Sequence, residues 1–443
     1  MIFRRKIYNR MLQWKQEQNG KTALLLKGAR RVGKTTAARD FAEKEYRSYI
    51  QLDFAKVSKD IRRLFEDLSD LNDFFAKLQV FTQKQLFPRE SVIVMDEIQL
   101  FPLARQAIKY LVEDGRYDYI ETGSLLSIKK NTMGILIPSE ETRIVLNPMD
   151  YEEFRWALGD STTCEMLREW FPRRKSLGDA VNRKLMRDFR NYMLVGGMPQ
   201  AVVSYLDTND FNQVDQVKRG ILELYEDDFR KIDDNGDVTR LFRNIPAELA
   251  KYASKYQISS VLEGRKWAEV ASKIDDLADS QTVNLAYHAN DPNIGMGLSR
   301  DARRFKIYLA DTGLFTTLMF QDKGFTENVI YRQLLADKLE ANLGYLYENM
   351  VAQMLQAKGD ALYYYTFPQE SNNHLYEVDF LLSRGNKICP IEVKSSGYRS
   401  HASLNAFSAK FSKRIHEEYL IYTKDLTQAQ DLLMLPIYLT MCL

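Results

Sequence analysis

The stretch Lys21–Thr36, KTALLLKGARRVGKTT, decides how the rest of the chain is interpreted. An apolar run, Ala23–Leu26, is followed at once by the pattern G-x-x-x-x-G-K-[ST], which begins at Gly28. The two glycines allow the backbone to curl so that successive N–H groups surround one anion, and the following helix turns its positive end toward it. A chance glycine loop is the alternative, but the apolar run before it argues against one. The stretch therefore predicts a strand, a phosphate-binding loop and a helix.

The residue types in this loop suit a nucleoside triphosphate and its magnesium ion. Lys34 is expected to reach the β- and γ-phosphates, and the hydroxyl of Thr35 is expected to contact Mg²⁺. The expected cofactors are therefore ATP and Mg²⁺. The predicted nucleotide-binding residues are Gly28, Ala29, Arg30, Arg31, Val32, Gly33, Lys34, Thr35 and Thr36.

A second motif, Ser91–Glu97 with the sequence SVIVMDE, reads as a strand that ends in two acids. An unbroken apolar run is typical of a strand that is buried on both faces of a parallel sheet. Ligands of such sheets bind beyond the carboxyl ends of the strands, which is where the acids lie. Asp96 is therefore expected to hold Mg²⁺ together with Thr35, and Glu97 to orient the attacking water as a base. A solvated acidic turn after a core strand is the alternative.

Hydroxyl residues end a third strand, Tyr117–Ser124, with the sequence YDYIETGS. In such a sheet Thr122 and Ser124 are expected to sense the γ-phosphate or the lytic water, and so they join Glu97 as candidate catalytic groups. A plain turn after the strand would explain both hydroxyls as well. Arg143 is a candidate arginine finger across a subunit interface, although most surface arginines have no such role. Between these motifs, Ile61–Gln85 is expected to be one amphipathic helix.

The segments KGARRVGKTT, VIVMDEIQ and ETGSLL, followed by NPMDYEEF, resemble prokaryotic AAA-like ATPases that are fused to a C-terminal domain of unknown function. That family is allied to the archaeal-type ATPases, which carry nuclease-like domains. The resemblance extends over nearly the whole chain. It implies an ATPase site formed by Gly28, Gly33, Lys34, Thr35, Asp96 and Glu97, together with Thr122 and Ser124. Arg31 stands where relatives often have glutamine; because this position contributes its backbone to the loop, little effect is expected.

The composition is that of an ordinary globular protein, with 45% apolar and 28% charged residues among 443. This length suggests about three domains. The formal net charge of +2 neither demands nor excludes nucleic acid. Cys164, Cys389 and Cys442 form no C-x-x-C pair, and with four histidines a structural zinc site is not expected.

Neither end of the chain suggests a membrane segment. The basic start, Met1–Arg10, is followed by a polar amphipathic stretch, so no signal peptide is expected. The apolar stretch Leu432–Leu443 is too short to span a bilayer and contains Pro436, so a buried final strand is expected. A cytoplasmic protein without membrane contact is the resulting prediction.

Residues 151–240 are expected to be a helical lid or linker, in which the Gly196–Pro199 cluster is a turn. Residues 241–325 read as short helices followed by the strands Thr282–Tyr287 and Phe305–Leu309. Helices followed by a hairpin are the order of a winged helix, which the resemblance also implies here. The usual glycine before the first wing strand is absent, and the third helix has no dense basic stripe. Such a domain either binds DNA or couples the domains on its two sides.

Acidic residues return in the last part, residues 326–443. A helix carries Glu348, a strand carries Asp379, and a second strand after a glycine turn ends in Glu392-Val-Lys394. Side chains alternate along a strand, so Glu392 and Lys394 share a face, and a hairpin brings Asp379 beside them. This order resembles the PD-(D/E)XK restriction-endonuclease-like fold, which implies a divalent ion and phosphodiester cleavage. A solvent-facing charged hairpin is the alternative.

The sequence thus predicts an α/β multidomain protein. Its parts are an AAA-like P-loop ATPase domain with a parallel sheet (residues 1–150), the helical and winged-helix middle (151–240 and 241–325), and a nuclease-like α/β domain (326–443). Three hypotheses remain. In the first, ATP gates a nuclease that acts on DNA or RNA. In the second, the nuclease-like domain is inert and the protein is a nucleotide switch or scaffold for protein partners, and in the third the ATPase is a motor that remodels nucleic acid. We also expect a homo-oligomer, because an arginine finger acts on the nucleotide site of a neighbouring subunit.

Overall fold

A computed structural model of the chain describes residues 1–123, 138–251, 253–293, 295–321, 328–336, 344–369 and 374–443. The chain forms two compact units. The first unit contains Met1–Asn147 and Asp279–Gln281, and the second contains Pro148–Ala278 and Thr282–Leu443. The expected end of the ATPase domain at residue 150 lies close to the division between the units.

The first unit is a five-stranded parallel sheet with the order β2-β3-β4-β1-β5. This confirms the α/β organisation predicted for the N-terminal part. Its strands are β1 (Ala23–Lys27), β2 (Ser48–Asp53), β3 (Ser91–Asp96), β4 (Asp118–Thr122) and β5 (Glu141–Val145). Its helices are α1 (Ile7–Gln18), α2 (Lys34–Glu45), α3 (Lys59–Leu64), α4 (Leu71–Thr82) and α5 (Pro102–Asp114).

Strand β3 is a fully buried interior strand of this sheet. Every one of its residues is buried, as its apolar sequence predicts for a strand that lies between β2 and β4. The single helix expected over Ile61–Gln85 is wrong, because α3 ends at Leu64 and α4 begins only at Leu71. Asp70 starts the second helix, where its side chain accepts hydrogen bonds from the backbone N–H groups of Asn72 and Asp73.

The second unit is built on an eight-stranded mixed sheet with the order β12-β13-β11-β10-β9-β8-β6-β7. Its strands are β6 (Val283–Ala289), β7 (Arg300–Leu309), β8 (Tyr363–Pro368), β9 (Leu375–Arg384), β10 (Lys387–Val393), β11 (Glu418–Tyr422), β12 (Thr427–Ala429) and β13 (Leu432–Pro436).

Helices of the same unit fall before these strands and between them. Those that precede the sheet are α6 (Tyr151–Ala157), α7 (Thr163–Trp170), α8 (Asp179–Val195), α9 (Pro199–Thr208), α10 (Phe211–Ile232), α11 (Asp237–Arg243), α12 (Ile245–Ala250), α13 (Ile258–Val261) and α14 (Trp267–Asp279). The later ones are α15 (Thr312–Met319), α16 (Asn328–Leu335), α17 (Gly344–Ala357) and α18 (Ala402–Phe411). The helical middle predicted from the sequence is therefore present.

The hairpin expected to form the wing belongs to this large sheet. Strands β6 and β7 pair antiparallel, and β6 also pairs parallel with β8, so that Tyr287 lies opposite Tyr363. The boundaries expected at residues 240 and 325 both fall inside this unit. The hairpin that follows the short helices is thus continuous with the strands of the C-terminal part.

Only the first part of the C-terminal stretch forms the expected buried strand: β13 ends at Pro436, and Ile437–Cys442 form a 3-10 helix instead. The three cysteines are free thiols; Cys164 and Cys389 are buried. Within the described parts of the chain, no helix is both long enough and apolar enough to cross a bilayer.

Candidate functional site

The phosphate-loop pattern forms the turn between β1 and α2. Gly28 has a φ of 154°, and a Cβ atom there would lie 2.3 Å from the carbonyl oxygen of Leu146. Gly33 precedes α2 with a φ of 98°. Arg31 also adopts a positive φ, of 70°, which an L-residue adopts only at a cost of about 1 kcal/mol. Both glycines are thus required by backbone geometry, as the loop pattern predicts.

Lys34 lies on the loop itself. Its ammonium group donates hydrogen bonds to the carbonyl oxygens of Gly28 and Ala29, both at 3.0 Å, and the side chain is buried. Around it, Ala29 and Val32 are buried and Arg31 is exposed. The remaining predicted loop residues, Arg30, Gly33, Thr35 and Thr36, are partly exposed. The loop therefore holds a cation at its centre while its rim remains open to solvent.

Three of the predicted site residues meet at the carboxyl edge of the sheet. The hydroxyl of Thr35 donates a hydrogen bond of 2.8 Å to Oδ1 of Asp96, and the hydroxyl of Thr122 donates to the same oxygen. Asp96 is buried at the end of β3, between β2 and β4. Parallel strands place their carboxyl ends at one edge, which is why motifs so far apart in sequence converge here.

Glu97 follows Asp96 with a left-handed backbone, φ 53°, and its carboxylate accepts a hydrogen bond from the side-chain amide of Gln99. Glu97 is partly exposed, whereas Gln99 is buried. Sequence analysis did not single out Gln99. The other expected sensor, Ser124, lies outside the described residues.

The ligands around Asp96 fit a magnesium ion. A carboxylate and a hydroxyl oxygen 2.8 Å apart are hard ligands at the mouth of a phosphate-binding loop. Mg²⁺ is typically bound by one or two carboxylates, substrate phosphates and water, so this small set suits it. Within the described residues, no group of three His, Cys, Asp or Glu side chains is arranged to hold a metal ion by itself.

A buried acid that the sequence did not indicate lies next to Thr122. Glu121 is fully buried in β4, and neither of its carboxyl oxygens has a hydrogen-bond partner in the described part of the chain. Burial raises its pKa well above the ordinary value, and the nearby Glu141 carboxylate raises it further. Glu141 is itself held by Arg105 through two hydrogen bonds of 2.9 Å, and Arg143 pairs with it at 3.3 Å.

The arginine-finger candidate is therefore engaged within its own chain. The side chain of Arg143 is 47% exposed and its guanidinium group contacts Glu141. The Glu141 side chain is buried, whereas the Arg143 side chain remains about half exposed to solvent. The role across a subunit interface stays a prediction.

The second predicted site lies in the C-terminal part, where α17, β9 and β10 carry its residues. The last pair of the antiparallel β9–β10 ladder is Phe380 and Ile391; Asp379 directly precedes Phe380, and Glu392 directly follows Ile391. Oδ2 of Asp379 accepts a hydrogen bond of 2.7 Å from the backbone N–H of Val393. The ammonium group of Lys394 pairs with Oε1 of Glu392 at 2.9 Å.

Lys306, on β7, enters the same site and was not predicted. Its ammonium group pairs with Oε2 of Glu348 at 3.4 Å and contacts a carboxylate oxygen of Glu377. The hydroxyl of Tyr308 donates to the same Glu348 oxygen at 3.2 Å. The helix acid predicted to complete a metal shell is therefore bound by a lysine and a tyrosine.

The charges of this site shift one another's pKa values. Burial raises the pKa of Asp379 well above its ordinary value, and the Glu348 carboxylate raises it further. Burial lowers the pKa of Lys306, but the charges of Glu348 and Glu377 outweigh burial and leave that pKa well above its ordinary value. Lys306 therefore stays an ammonium ion, held between carboxylates.

The Gly196–Gly197 pair, interpreted from the sequence as a simple turn, lies in close contact with other elements. A Cβ atom on Gly197 would lie 2.1 Å from the carbonyl oxygen of Met149. The N–H of Gly197 donates to Oδ2 of Asp311 at 2.5 Å, and the other carboxyl oxygen of Asp311 accepts from the N–H of Leu314. In the sequence, the two adjacent glycines are the signal for a close approach of backbone at this point. The partner Asp311 could not be predicted, because it lies more than a hundred residues away in sequence.

Buried hydrogen bonds continue from Met149 to helix α17. The hydroxyl of Tyr192 donates to the carbonyl oxygen of Met149 at 2.8 Å, and the side-chain amide of Gln353 donates to that hydroxyl at 2.9 Å. Gln353 accepts from both the backbone and the hydroxyl of Thr312, and Asn349 donates to the same hydroxyl at 3.0 Å. Asn349 directly follows Glu348 in α17, so the network ends one residue along the chain from a predicted residue of the second site.

Three family descriptions match successive parts of the chain. Residues 20–155 match the description "AAA domain". The part of the chain that contains the parallel sheet and the phosphate loop is therefore similar to this family. Residues 186–324 and 343–440 match two families that are each described as a domain of unknown function, DUF8612 and DUF4143. The AAA match covers all the described residues of the first site, and the last match covers Glu348, Asp379, Glu392 and Lys394 but not Lys306.

Among solved structures, the Walker-type ATPase PABY2304 of Pyrococcus abyssi is 16% identical, with a TM-score of 0.44 over 72% of this chain and 96% of that one. The Thermotoga maritima RuvB Holliday junction branch migration motor is 14% identical, with a TM-score of 0.28 over 63% of this chain and 89% of that one. A signal-transduction ATPase with numerous domains from Pyrococcus horikoshii is 13% identical, with a TM-score of 0.25 over 79% and 45%. The curated proteins contain no match to this chain.

Proposed function

We propose that the protein is a magnesium-dependent ATPase whose nucleotide state is transmitted to its C-terminal part. The single observation that carries this proposal is the meeting of Thr35 and Thr122 on one oxygen of Asp96, beside a loop with Lys34 at its centre. The AAA domain match over residues 20–155 supports it. Bound Mg²⁺ neutralises phosphate charge and polarises the γ-phosphoryl group.

Different residues of the loop bind different parts of the nucleotide and its magnesium ion. Lys34 exchanges the carbonyl oxygens of Gly28 and Ala29 for phosphate oxygens, which are stronger partners for an ammonium ion. The loop N–H groups and the N-terminus of α2 bind the phosphates. Thr35 and Asp96 are the ligands for the magnesium ion, Asp96 through water. Arg31 and Thr36 contribute position rather than charge, because the loop backbone is what contacts the anion.

Glu97 is the base that orients the attacking water. It follows the magnesium ligand Asp96 directly, and its contact with Gln99 fixes the direction of its carboxylate. Thr122 and, beyond the described residues, Ser124 are the candidate sensors of the γ-phosphate. Thr122 suits this role because its hydroxyl already contacts Asp96.

The test of this proposal compares two lysines of the same helix. Lys34→Ala should abolish ATP binding, measured by fluorescence titration with a labelled ATP analogue, because it removes the ammonium group that contacts the carbonyl oxygens of Gly28 and Ala29 at the centre of the loop. Lys44→Ala should leave affinity unchanged, since Lys44 pairs with Asp40 on the surface of α2. Tight ATP binding by the Lys34 variant would overturn the assignment.

A glutamate variant separates hydrolysis from binding. Glu97→Gln should bind ATP with normal affinity and hydrolyse it about 10²–10⁴ times more slowly, since the neutral amide cannot act as a base. Phosphate release during steady-state turnover is the measurement. A variant that turns over at the wild-type rate would remove Glu97 as the base.

Transmission to the C-terminal part is the second half of the proposal. The N–H of Leu146 donates to the carbonyl oxygen of Lys27, the last residue of β1 before the phosphate loop. Three residues later, Met149 begins the buried hydrogen bonds that lead through Tyr192 and Gln353 to α17. A change at the loop therefore has a short covalent path into a network that is rigid because its members are buried and paired.

The C-terminal ligand in this proposal is a nucleic acid or a protein partner. The order α17-β8-β9-β10-α18-β11 and the grouping of Glu348, Asp379, Glu392 and Lys394 favour a nuclease-like fold, which supports DNA or RNA. ATP should then change the affinity for single-stranded DNA, duplex DNA or RNA, measured by fluorescence anisotropy with and without nucleotide. Identical affinities for all three, in wild type and in Lys34→Ala, would reject nucleic acid and leave a protein partner.

A further inference from the structure

We infer that Lys306 is the built-in cation of the C-terminal acidic site, and that it occupies the position a divalent metal ion would need. The C-terminal part then binds its ligand without metal-dependent cleavage. This deepens the proposed function, because it chooses a nucleotide-controlled binding module over a nuclease. The contacts of Lys306 carry the inference independently of the ATP site.

The acids of the site are held by groups that a metal would have to displace. Glu348 is bound by Lys306 and by the hydroxyl of Tyr308 through the same oxygen. Oδ2 of Asp379 is bound by a backbone N–H, and Oε1 of Glu392 by Lys394. A magnesium site needs several oxygens at about 2.0–2.1 Å from one point. With the side chains where they lie around Lys306, no three acidic, histidine or cysteine side chains among the described residues are grouped closely enough for that arrangement.

The two lysines also supply the charge that a metal would bring. Lys306 lies between Glu348 and Glu377, and Lys394 lies on Glu392, so together they carry the two positive charges of a divalent ion. Oε2 of Glu392 is buried without a hydrogen-bond partner in the described part of the chain. One free carboxylate oxygen does not make a magnesium site, but it leaves negative charge that favours a cation if Lys306 is removed.

Backbone pairing fixes Lys306 at this position. It lies opposite Ala286 in the antiparallel β6–β7 ladder, and the side chain is almost fully buried. The neighbouring Phe305 and Ile307 are buried apolar residues on the same strand. A slip of the strand by one residue would turn Lys306 to the other face of the sheet, in place of these apolar side chains. The lysine is thus a fixed part of the site and not a mobile surface side chain.

The test measures Mn²⁺ binding to the full-length chain without nucleotide, by electron paramagnetic resonance. All samples carry Asp96→Asn, which removes the carboxylate of the ATP site as a source of bound metal. With Lys306 intact, Asp379→Asn should not change the amount of bound Mn²⁺. Lys306→Met should gain one Mn²⁺ site at least about tenfold tighter than any in its parent, and adding Asp379→Asn should abolish that gain. Lys306→Arg keeps the charge and should gain no site.

Two results would overturn the inference. One is Mn²⁺ binding by the chain with Lys306 intact that Asp379→Asn removes. The other is a folded Lys306→Met variant that gains no Mn²⁺ site. If Lys306→Met does not fold, cleavage of plasmid and RNA by the wild-type chain with Mn²⁺ decides: no cleavage supports the inference, and cleavage lost in Glu392→Gln overturns it. Because no nucleotide is used, failure of this inference is distinct from failure of the ATPase proposal.

Discussion

Thr122 donates its hydroxyl hydrogen bond to the oxygen of Asp96 that Thr35 also contacts. The three residues come from β4, β3 and the start of α2, and each belongs to a different sequence motif. A carboxylate oxygen that accepts from two hydroxyls is fixed in direction, which is what a magnesium ligand needs. The finding makes Thr122 a positioning residue whose effect can be separated from that of nucleotide binding.

Thr122→Val should leave ATP binding nearly unchanged and reduce hydrolysis by about 10- to 100-fold. The reason is the loss of one hydrogen bond to a charged group, worth about 1.5–3 kcal/mol, at a step where Asp96 must be correctly oriented. The measurement is a split between the ATP dissociation constant and the turnover rate, with the magnesium concentration for half-maximal rate as a third readout. That concentration should rise in the variant.

Thr142→Val is the matched control, because its hydroxyl bonds to the hydroxyl of Thr22 in the same unit, away from Asp96. It should leave turnover and magnesium dependence at wild-type values. Equal losses of turnover in both variants would indicate general destabilisation and would contradict a specific role for Thr122.

Gly197→Ala should destabilise the second unit by about 2 kcal/mol or more. The added Cβ would lie 2.1 Å from the carbonyl oxygen of Met149, which is too close for two non-bonded atoms. The backbone must therefore shift, either at Met149 or at Gly197, and a shift at Gly197 would break its hydrogen bond to Asp311. Thermal unfolding of the full chain is the measurement. If Met149 is part of the transmission path, the variant should also weaken the effect of ATP on ligand affinity.

Gly220→Ala provides the control within the same unit. Gly220 lies inside α10, and a Cβ atom there would meet nothing within 4 Å. The substitution should stabilise the helix by about 0.5–1 kcal/mol, since alanine loses less conformational freedom than glycine. A melting temperature that is unchanged in Gly197→Ala would show that Met149 has room to move.

Glu121→Gln should stabilise the protein in a way that depends on pH. Burial raises the pKa of Glu121 in the folded chain above its ordinary value of 4.5, so the folded state holds a proton that the unfolded state releases. Wild-type stability from this group is therefore complete below that ordinary value and is lost as pH rises above it. The melting temperature of the variant should match wild type near pH 4 and exceed it increasingly toward pH 8.

The exposed residue Glu66 is the control for this series, and Glu66→Gln should change the melting temperature little at any pH. Circular dichroism melts at intervals of one pH unit are sufficient. A difference between Glu121→Gln and wild type that is constant from pH 4 to pH 8 would contradict a buried, protonated carboxyl group.

Local patterns in the sequence were enough to predict the strand, glycine loop and helix around Lys34. The glycines, Lys34 and Thr35 lie within one strand, loop and helix, so their geometry depends on backbone preferences over a few residues. The acids after β3 were predictable for a related reason: an apolar strand in a parallel sheet must place its last residues at the ligand-binding edge. Helix α4 was less predictable, because its start depends on a single capping aspartate, Asp70, inside a continuous amphipathic pattern.

The sequence by itself determined the phosphate loop, the two acids of β3 and the order of helix and strands that carries Glu348, Asp379 and Glu392. Only the tertiary structure decided that Lys306 lies between Glu348 and Glu377 and that the expected wing hairpin extends the C-terminal sheet. The physical reason is sequence separation. A motif is recognised where its residues are neighbours along the chain, whereas a lysine 42 residues before its partner is placed by strand pairing, whose register no local pattern specifies.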